Sequence, residues 1–312
     1  MQKEPTKKES NNPLKREINR RDFLKIALAG TITSLGCNQN YLNSKIDFAT
    51  IKIPYFDLPK EFQNYRIAFV TDIHHGPFLE PSILSDTITF LKKSDFDLLI
   101  LGGDYLNIPE SKISKNLYPI YNEDYKKTDL ISTPKKIFSE VAYLFDTVRP
   151  RDGIVAVFGN HDRWIAGDDC YRIFKKENYK FLVNQSIAIR RGDYKLSITG
   201  VDDYWTGIPN INSSNPKANF KLLVTHNPDF ISQLPQENEY YFNLALCGHT
   251  HGGQIRFPII GGFHYNVSDL RFIEGLVNIK QDQYCFTSRG LGVVEVPIRL
   301  NCPPEVNILE LV

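Results

Sequence analysis

Short runs of apolar residues recur along most of the chain, and each run predicts a buried β-strand. The runs are rich in β-branched and aromatic residues and are bounded by polar or glycine-containing turns. Predicted strands cover residues 49–53, 65–71, 96–101, 153–158, 179–183, 186–190, 194–199, 220–225, 243–247, 284–287 and 306–311. The three runs between 179 and 199 alternate as the strands of a meander do.

Two stretches have the periodicity of amphipathic helices. Residues 80–93 place their apolar side chains on one side. Residues 134–148 begin with Pro134, which a helix tolerates in its first turn. Helices interspersed with buried strands predict an α/β fold.

The stretch 106–133 is polar, rich in Lys and Tyr, and has no clear periodicity. A long segment of this kind inside a compact domain is usually functional or disordered. It is either a lid over a substrate or an inert surface insertion, and the sequence leaves both interpretations open.

Composition narrows the class of protein. A chain of 312 residues permits one large domain or two small ones, and 42% hydrophobic residues suffice for a sizeable core. The formal net charge of +1 argues against a general nucleic-acid binder. The five cysteines form no CxxC pair, so neither a zinc knuckle nor a disulfide framework is indicated.

Residues 1–45 have the layout of an export signal rather than of a folded segment. Arg20 and Arg21 precede an apolar run, residues 26–35, which is too short to span a bilayer of about 30 Å. The segment resembles a twin-arginine signal, and Cys37 lies where a lipoprotein would be lipidated. Lipidation at Cys37, cleavage, or retention as an uncleaved anchor all stay open. We therefore expect residues 46–312 to form the domain, in the cell envelope and associated with the membrane through the N-terminus.

Five predicted strands end in side chains that suit metal binding. They are Asp72 and His74, Asp104, Asn160 and His161, His226, and finally His249 and His251. The carboxyl ends of strands in an open α/β sheet converge on one edge, which is where such sheets bind ligands. Only His75 and His264, of the seven histidines, fall outside this set. Histidines placed by chance would not follow strand ends so closely.

Imidazole and oxygen ligands without thiolate suit manganese, iron or zinc, and we favour manganese. The ligands suffice for two divalent metal ions, and one carboxylate can bridge them. Two such ions about 3.5–4 Å apart clamp a phosphate ester, lower the pKa of a shared water to make hydroxide, and neutralise charge on the phosphoryl oxygens.

The ordered motifs resemble those of the calcineurin-like metallophosphoesterases over residues 65–251. The motifs are Asp72-Ile73-His74, Gly103-Asp104, Gly159-Asn160-His161-Asp162, His226 and Gly248-His249-Thr250-His251. A later stretch, residues 288–305, is similar to the C-terminal signature of a membrane-associated or exported bacterial branch of that family. The resemblance implies a two-sheet mixed β-sandwich flanked by helices.

The same resemblance implies a role for each motif residue. It assigns two sets of metal ligands, which are Asp72, His74 and His251 for one ion and Asn160, His226 and His249 for the other. Asp104 would bridge the ions. His161, beside the second ion, would donate a proton to the leaving oxygen or stabilise the transition state. Asp162 would orient His161. Apart from the resemblance, Arg289 in the C-terminal stretch is interpreted either as a phosphate contact or as a residue that forms a salt bridge or caps a loop.

We expect a hydrolase acting on a phosphodiester or pyrophosphate bond of a phosphorylated small molecule or lipid. The family resemblance implies UDP-2,3-diacylglucosamine, which some related bacterial enzymes cleave in lipid A synthesis, as one candidate substrate. Phospholipids and wall polymers are further candidates. A nucleotide sugar is cytoplasmic whereas a twin-arginine signal points outward, and an uncleaved signal facing the cytoplasm would reconcile the two.

Two other classes of function are open. A nuclease or nucleotide phosphodiesterase is one, but the Lys- and Tyr-rich stretch 112–127 that could bind nucleic acid also carries Glu123 and Asp124, so we expect no stable nucleic-acid complex. A non-catalytic metal-bound scaffold is the other. A scaffold would be expected to lack ligands or His161, and the chain retains them all.

Overall fold

The computed structural model describes residues 45–108, 134–177, 179–212, 217–234, 242–257, 259–262 and 264–312. All of them belong to one structural unit, residues 43–312. The predicted export signal and nearly all of the predicted insertion, residues 106–133, lie outside the described residues. The predictions for both segments therefore stay predictions, as does the domain boundary at residue 46.

The first of two large sheets contains six strands. They are β1 (Asp47–Ile53), β2 (Arg66–Val70), β3 (Leu98–Leu101), β4 (Ile154–Ala156), β5 (Lys180–Phe181) and β14 (Glu305–Leu311). Their spatial order is β1-β14-β2-β3-β4-β5. Strands β2 to β5 run parallel, whereas β14 is antiparallel to β2 and parallel to β1. The carboxyl ends of β2, β3 and β4 therefore lie at one edge.

The second large sheet also has six strands and is again mixed. They are β6 (Gln185–Arg191), β7 (Tyr194–Gly200), β8 (Phe220–Val224), β9 (Leu244–Cys247), β12 (Gly275–Lys280) and β13 (Gln283–Thr287). The order is β12-β13-β9-β8-β7-β6, with a parallel centre and an antiparallel strand at each end. Strands β10 (Arg256–Phe257) and β11 (Gly261–Gly262) form a separate small hairpin.

The core between the two large sheets explains the apolar runs in the sequence. Ile67 and Phe69 of β2 point into this core, where Phe69 meets Phe286 of β13 with ring centroids 6.4 Å apart. Ala68 and Val70 point to the other face and pack under the helices. Because successive side chains of a strand face opposite ways, a strand buried on both faces reads as a continuous apolar run.

Helices cover the outer face of the first sheet. They are α1 (Pro81–Lys93), α2 (Pro134–Asp146) and α3 (Asn160–Lys176), and all three contribute to one buried cluster. The outer face of the second sheet is covered more thinly, by the short helix α4 (Asp229–Gln233) and a 3-10 turn at Leu270–Phe272. The predicted two-sheet α/β sandwich flanked by helices is confirmed. Among the helices that the structure describes, none is long and apolar enough to cross a membrane.

Two parts of the predicted secondary structure were wrong. The strands between 179 and 200 do not form a meander, because β5 pairs with β4 in the first sheet while β6 pairs with β7 in the second. Helix α3 was not predicted at all. Its first turn buries the polar residues Asn160 and Asp162 and it kinks at Ala166, so it lacks the continuous apolar stripe that periodicity detects.

Candidate metal centre

The structure brings the seven predicted metal ligands together where the two sheets meet at one edge. They lie just beyond β2 (Asp72, His74), β3 (Asp104), β4 (Asn160), β8 (His226) and β9 (His249, His251). All seven side chains are buried. His161, the predicted acid, lies among them and is partly exposed.

The loops that carry these side chains have an unusual backbone. Left-handed φ angles occur at Asp72 (50°), His74 (45°), Asp104 (53°), His249 (71°) and His251 (50°). This region is unfavourable for residues with a Cβ, and such strain gathers at functional sites. Hydrogen bonds between loops hold it in place, since Asp72 N–H donates to Gly103 O at 3.0 Å and His74 N–H donates to Asp104 O at 2.9 Å.

Two glycines of the motifs allow the ligands to approach the backbone closely. A Cβ on Gly159 would collide with the carboxylate of Asp104, and a Cβ on Gly248 would collide with Asp72 and Thr71. Both glycines are required by the close approach of a carboxylate and not by a left-handed backbone, since neither has a positive φ.

One group of ligand atoms comprises Asp72, His74 and His251, whose atoms all lie within 4.8 Å of one another. Nε2 of His251 is 3.1 Å from Nε2 of His74 and 3.4 Å from Oδ1 of Asp72. Burial raises the pKa of Asp72, so a buried negative charge here requires a nearby cation. This group matches the set that the sequence predicted for one ion.

A second group comprises Asp104, His226 and His249, again within 4.8 Å. Asn160 joins it, because its Oδ1 lies 2.9 Å from Nδ1 of His249. Oδ2 of Asp104 is 3.2 Å from Nε2 of His226 and 3.4 Å from Nε2 of His74. A single carboxylate oxygen thus faces both groups, as a bridging ligand must.

The His226 ring shows that this site attracts positive charge. Its Nδ1 lies 2.8 Å from the carbonyl of Gly102 and donates to it, so in the neutral ring the lone pair of Nε2 would face the carboxylate of Asp104, 3.2 Å away. Two acceptors facing one another need a proton or a cation between them. Burial acts to lower the pKa of His226, but the charges of Asp104 and Asp72 outweigh it and hold this pKa well above its usual range.

The imidazoles of His249 and His251 are neutral, and within the described structure that of His249 has an unpaired nitrogen. Burial lowers the pKa of both His249 and His251 well below the usual range, so both rings are neutral near pH 7. Nε2 of His249 is buried and has no hydrogen-bond partner among the residues that the structure covers. Buried polar atoms are normally paired. Neutral imidazoles next to carboxylates are the protonation state that divalent ions require, so these residues fit two such ions.

His161 lies closer to the first group than expected. Its ring is 5.0 Å from that of His74, and its ligand atom lies within 4.8 Å of those of His74 and Asp104. Its backbone N–H donates to Oδ1 of Asp104 at 2.9 Å. Burial lowers the pKa of His161. The partly exposed ring therefore lies beside the carboxylate of Asp104.

Asp162 does not have the position that we expected. Its carboxylate accepts backbone hydrogen bonds from Asp104 (2.7 Å), Tyr105 (2.8 Å) and Gly159 (3.0 Å), and Nδ1 of His161 has no partner among the described residues. Among the described residues no hydrogen bond joins Asp162 to the His161 ring, because the carboxylate faces these three backbone N–H groups, so the prediction that Asp162 orients His161 has no contact to support it. Asp162 instead positions the loop that carries Asp104.

Two arginines of the C-terminal stretch have structural partners. Arg289 forms salt bridges with Glu305 and Asp47, both at 2.8 Å, so of the two predicted roles the structure shows the salt bridge. Arg299 is buried, and its guanidinium donates to the carbonyls of Gly292 and Arg289. Its Nη2 also lies 3.4 Å from Nδ1 of His251.

Sequence reasoning gave Arg299 no role and did not single out Trp205. The indole of Trp205 meets the ring of His249 edge-on with centroids 4.2 Å apart. Arg299 belongs to the C-terminal stretch 288–305, but that motif does not reveal its place beside His251, and Trp205 lies in no motif at all. That Arg299 is buried with no carboxylate partner among the described residues, and that Trp205 is exposed in a turn, is visible only once the chain is folded.

Comparison with known proteins identifies the family. Residues 65–253 match the family model of the calcineurin-like phosphoesterases. The chain is similar to the phosphodiesterase YaeI of Escherichia coli (strain K12), with 30% identity over 95% of this chain and 100% of that protein. It is also similar to the metallophosphoesterase YkuE of Bacillus subtilis (strain 168), with 24% identity over 95% of this chain and 98% of that one. The solved structure of Haemophilus influenzae NAD nucleotidase aligns with a TM-score of 0.44 and 12% identity, over 73% of this chain and 45% of that one.

The chain therefore belongs to the calcineurin-like phosphoesterase family, as its motifs predicted. It is a hydrolase that acts on phosphoester bonds. The family uses a site for two divalent metal ions, and the two groups of buried ligand atoms described above are the candidate ligands in this chain.

Proposed function

We propose that the chain is a phosphodiesterase whose two metal ions are held by the predicted ligands. Asp72, His74 and His251 would hold one ion, Asn160, His226 and His249 would hold the other, and Asp104 would bridge them. The observation that carries this proposal is the position of Oδ2 of Asp104, which lies within 3.4 Å of imidazole nitrogens from both groups. Manganese is our first choice of metal, ahead of iron and zinc.

Each part of the site then has a chemical task. Two divalent ions, when bound, would supply positive charge to the phosphoryl oxygens and lower the pKa of a water. His161 would hold a proton for the leaving oxygen, since its ring is partly exposed beside Asp104. Asp162 would keep Asp104 in place through the backbone hydrogen bonds described above. The loops that carry Asp72 and Asp104 are hydrogen-bonded to one another and would exclude bulk water from the buried ligands.

The preference for diesters is supported by the E. coli relative, which is named a phosphodiesterase and aligns along its whole length. We propose that the substrate belongs to the cell envelope, with the N-terminal segment tethering the enzyme to the membrane. UDP-2,3-diacylglucosamine, a phospholipid head group and a wall polymer are the candidates. The arginine pair and the short apolar run of residues 20–35 support the envelope location.

The test is a panel of substrates given to the full chain loaded with Mn²⁺. Bis(4-nitrophenyl) phosphate reports diester cleavage, 4-nitrophenyl phosphate reports monoester cleavage, and UDP-2,3-diacylglucosamine reports pyrophosphate cleavage. We expect the diester to be cleaved faster than the monoester, and Asp104→Asn to cleave neither. A monoester preference would contradict the phosphodiesterase assignment, and full activity of Asp104→Asn would contradict the two-metal site.

A further inference from the structure

The turn that follows β7 holds a large aromatic side chain beside the metal ligands. Trp205 is 52% exposed, although its indole contacts the ring of His249 at 4.2 Å between centroids, with the two planes nearly perpendicular. His249 in turn faces Asn160. One side of the indole is thus fixed against the second group of ligands, and much of the rest faces solvent.

The turn is built to hold Trp205 in this position. The fully buried carboxylate of Asp203 accepts hydrogen bonds from Trp205 N–H (2.9 Å), from Thr206 N–H (2.7 Å) and from Thr206 Oγ1 (2.7 Å). The next residue, Gly207, packs directly on the carboxylate of Asp202. A loop with its backbone fixed in this way has little freedom left to lose when a ligand binds.

A second set of contacts joins the turn to helix α3, which carries His161. Asp202 accepts a hydrogen bond from Arg163 at 3.1 Å, and Arg163 follows His161 and Asp162 in the first turn of α3. On the other side, Tyr204 packs against Phe230 of α4 in the cluster that covers the second sheet. Trp205 therefore stays in a fixed position relative to His161 and the ligands.

Solvent exposure of a rigid indole at this position points to a ligand. An indole that only shielded His249 from water would be expected to be mostly buried, whereas about half of this side chain stays accessible. Nucleobases stack on exposed aromatic side chains in single-stranded nucleic-acid sites. Of the two residues next to Trp205, Tyr204 packs inward against Phe230 and Thr206 is polar, so the turn offers one flat ring rather than the elongated apolar groove that an alkyl chain would need.

We propose that Trp205 is a substrate-binding residue that stacks on a planar aromatic group of the phosphodiester, a nucleobase above all. This inference rests on the proposed function, since it places the aromatic group on a substrate of the same site. It assigns the enzyme to nucleotide-containing diesters or pyrophosphates. Of the two groups esterified to the phosphate, the one that carries the nucleobase would lie against the indole.

The test compares two substrates with the same leaving group. Thymidine 5′-(4-nitrophenyl phosphate) carries a nucleobase, and ethyl 4-nitrophenyl phosphate does not. For Trp205→Ala we expect the ratio of kcat/KM between them to fall about tenfold, equal to about 1.4 kcal/mol, mainly through KM for the thymidine ester. Trp205→Phe should retain most of the preference. Tyr143→Ala, which changes an aromatic residue of α2 that is 69% exposed, is the matched control and should leave the ratio unchanged.

Two kinetic outcomes would overturn the proposal. If Trp205→Ala lowers kcat/KM equally for both substrates, Trp205 acts only through His249. If the loss appears with octyl 4-nitrophenyl phosphate and not with the thymidine ester, the indole binds an alkyl chain instead.

A binding measurement separates this proposal from the proposed function. The chain has two Trp residues, so Trp164→Phe leaves Trp205 as the only indole. Thymidine 5′-monophosphate should quench its fluorescence saturably, whereas ethyl phosphate should not. Quenching without hydrolysis of any diester would sustain the stacking site and refute the phosphodiesterase assignment. Hydrolysis of a diester without quenching would sustain the phosphodiesterase assignment and refute the stacking site.

Discussion

The carboxylate of Asp162 lies 2.7 Å from the backbone nitrogen of Asp104 and accepts its hydrogen bond. The same carboxylate accepts hydrogen bonds from Tyr105 and Gly159, so it joins the turn after β3 to the start of α3. Asp104 has a left-handed φ of 53°, which such hydrogen bonds help to maintain. Asp162 thus helps to fix the position of Asp104, for which we propose the bridging role.

This relationship predicts a defect in metal binding for Asp162→Asn. The amide nitrogen of Asn cannot accept a hydrogen bond, so at least one of the three backbone N–H groups would lose its partner. We expect the apparent affinity for Mn²⁺ to fall about 10–100-fold, the usual cost of losing a group that supports a ligand. At saturating metal, kcat should change much less. The measurement is activity as a function of Mn²⁺ concentration, and an unchanged titration would contradict the assigned role. Asp168→Asn, an exposed position on the same helix, is the control.

His161→Ala should give the reverse behaviour. If His161 acts on the leaving oxygen, kcat should fall about 10²–10⁴-fold while two metal ions per chain stay bound. Elemental analysis of the purified variant gives the metal content, and stopped assays give kcat. Because the ring lies close to His74 and Asp104, loss of one ion would instead show that His161 is a ligand.

Asp104→Asn should disturb both ions at once. Oδ2 of Asp104 faces His74 in one group and His226 in the other, and the neutral amide supplies neither the charge nor a second equivalent oxygen. We expect turnover to be lost and the metal content to fall below two ions per chain. Asp95→Asn, an exposed carboxylate near α1, should retain both. A fully active Asp104→Asn would rule out a bridging role.

Metal removal should destabilise the fold. Asp72 and Asp104 are fully or almost fully buried, and Asp104 faces an imidazole nitrogen of His226. Bound ions would neutralise these buried carboxylates, and they would do so only in the folded state. At metal concentrations of about 100 times Kd, binding adds about 2.7 kcal/mol to the free energy of unfolding. Chelation should therefore lower Tm by several degrees, and added Mn²⁺ should restore it. An identical Tm with and without chelator would argue against resident ions.

The sequence could predict which side chains come together because they are local to strand ends. Asp72, Asp104 and His249 each follow an apolar run, and the edge of a parallel sheet gathers such positions. The sequence could not predict what Asp162 contacts, because its partners Asp104 and Tyr105 lie on another loop more than fifty residues earlier. Helix α3 was missed for a related reason. Its first turn carries polar residues because it faces the site. The helix therefore lacks the regular spacing of apolar residues by which the other helices were predicted.

Arg299 is a further residue whose role only the fold reveals, and it leads to the last prediction. Its guanidinium reaches the carbonyls of Arg289 (2.7 Å), Gly292 (2.6 Å) and Cys302 (3.2 Å), and no carboxylate pairs with it in the described structure. Lys would keep the charge but present its donors from one nitrogen, which cannot reach all three carbonyls. Arg299→Lys should therefore lower the free energy of unfolding by about 2–4 kcal/mol.

Urea denaturation of the two proteins measures this difference directly. Arg271→Lys is the matched control, because Arg271 is paired with Asp269 on the surface and its replacement should change stability little. Arg299 also approaches His251. Compared with the unchanged protein, the variant should therefore lose more affinity for the ion held with His251 than for the other ion, and stepwise Mn²⁺ titration would resolve the two. Equal stability and equal metal binding would mean that the neighbouring carbonyls find other donors, and that the C-terminal stretch is not needed to hold His251.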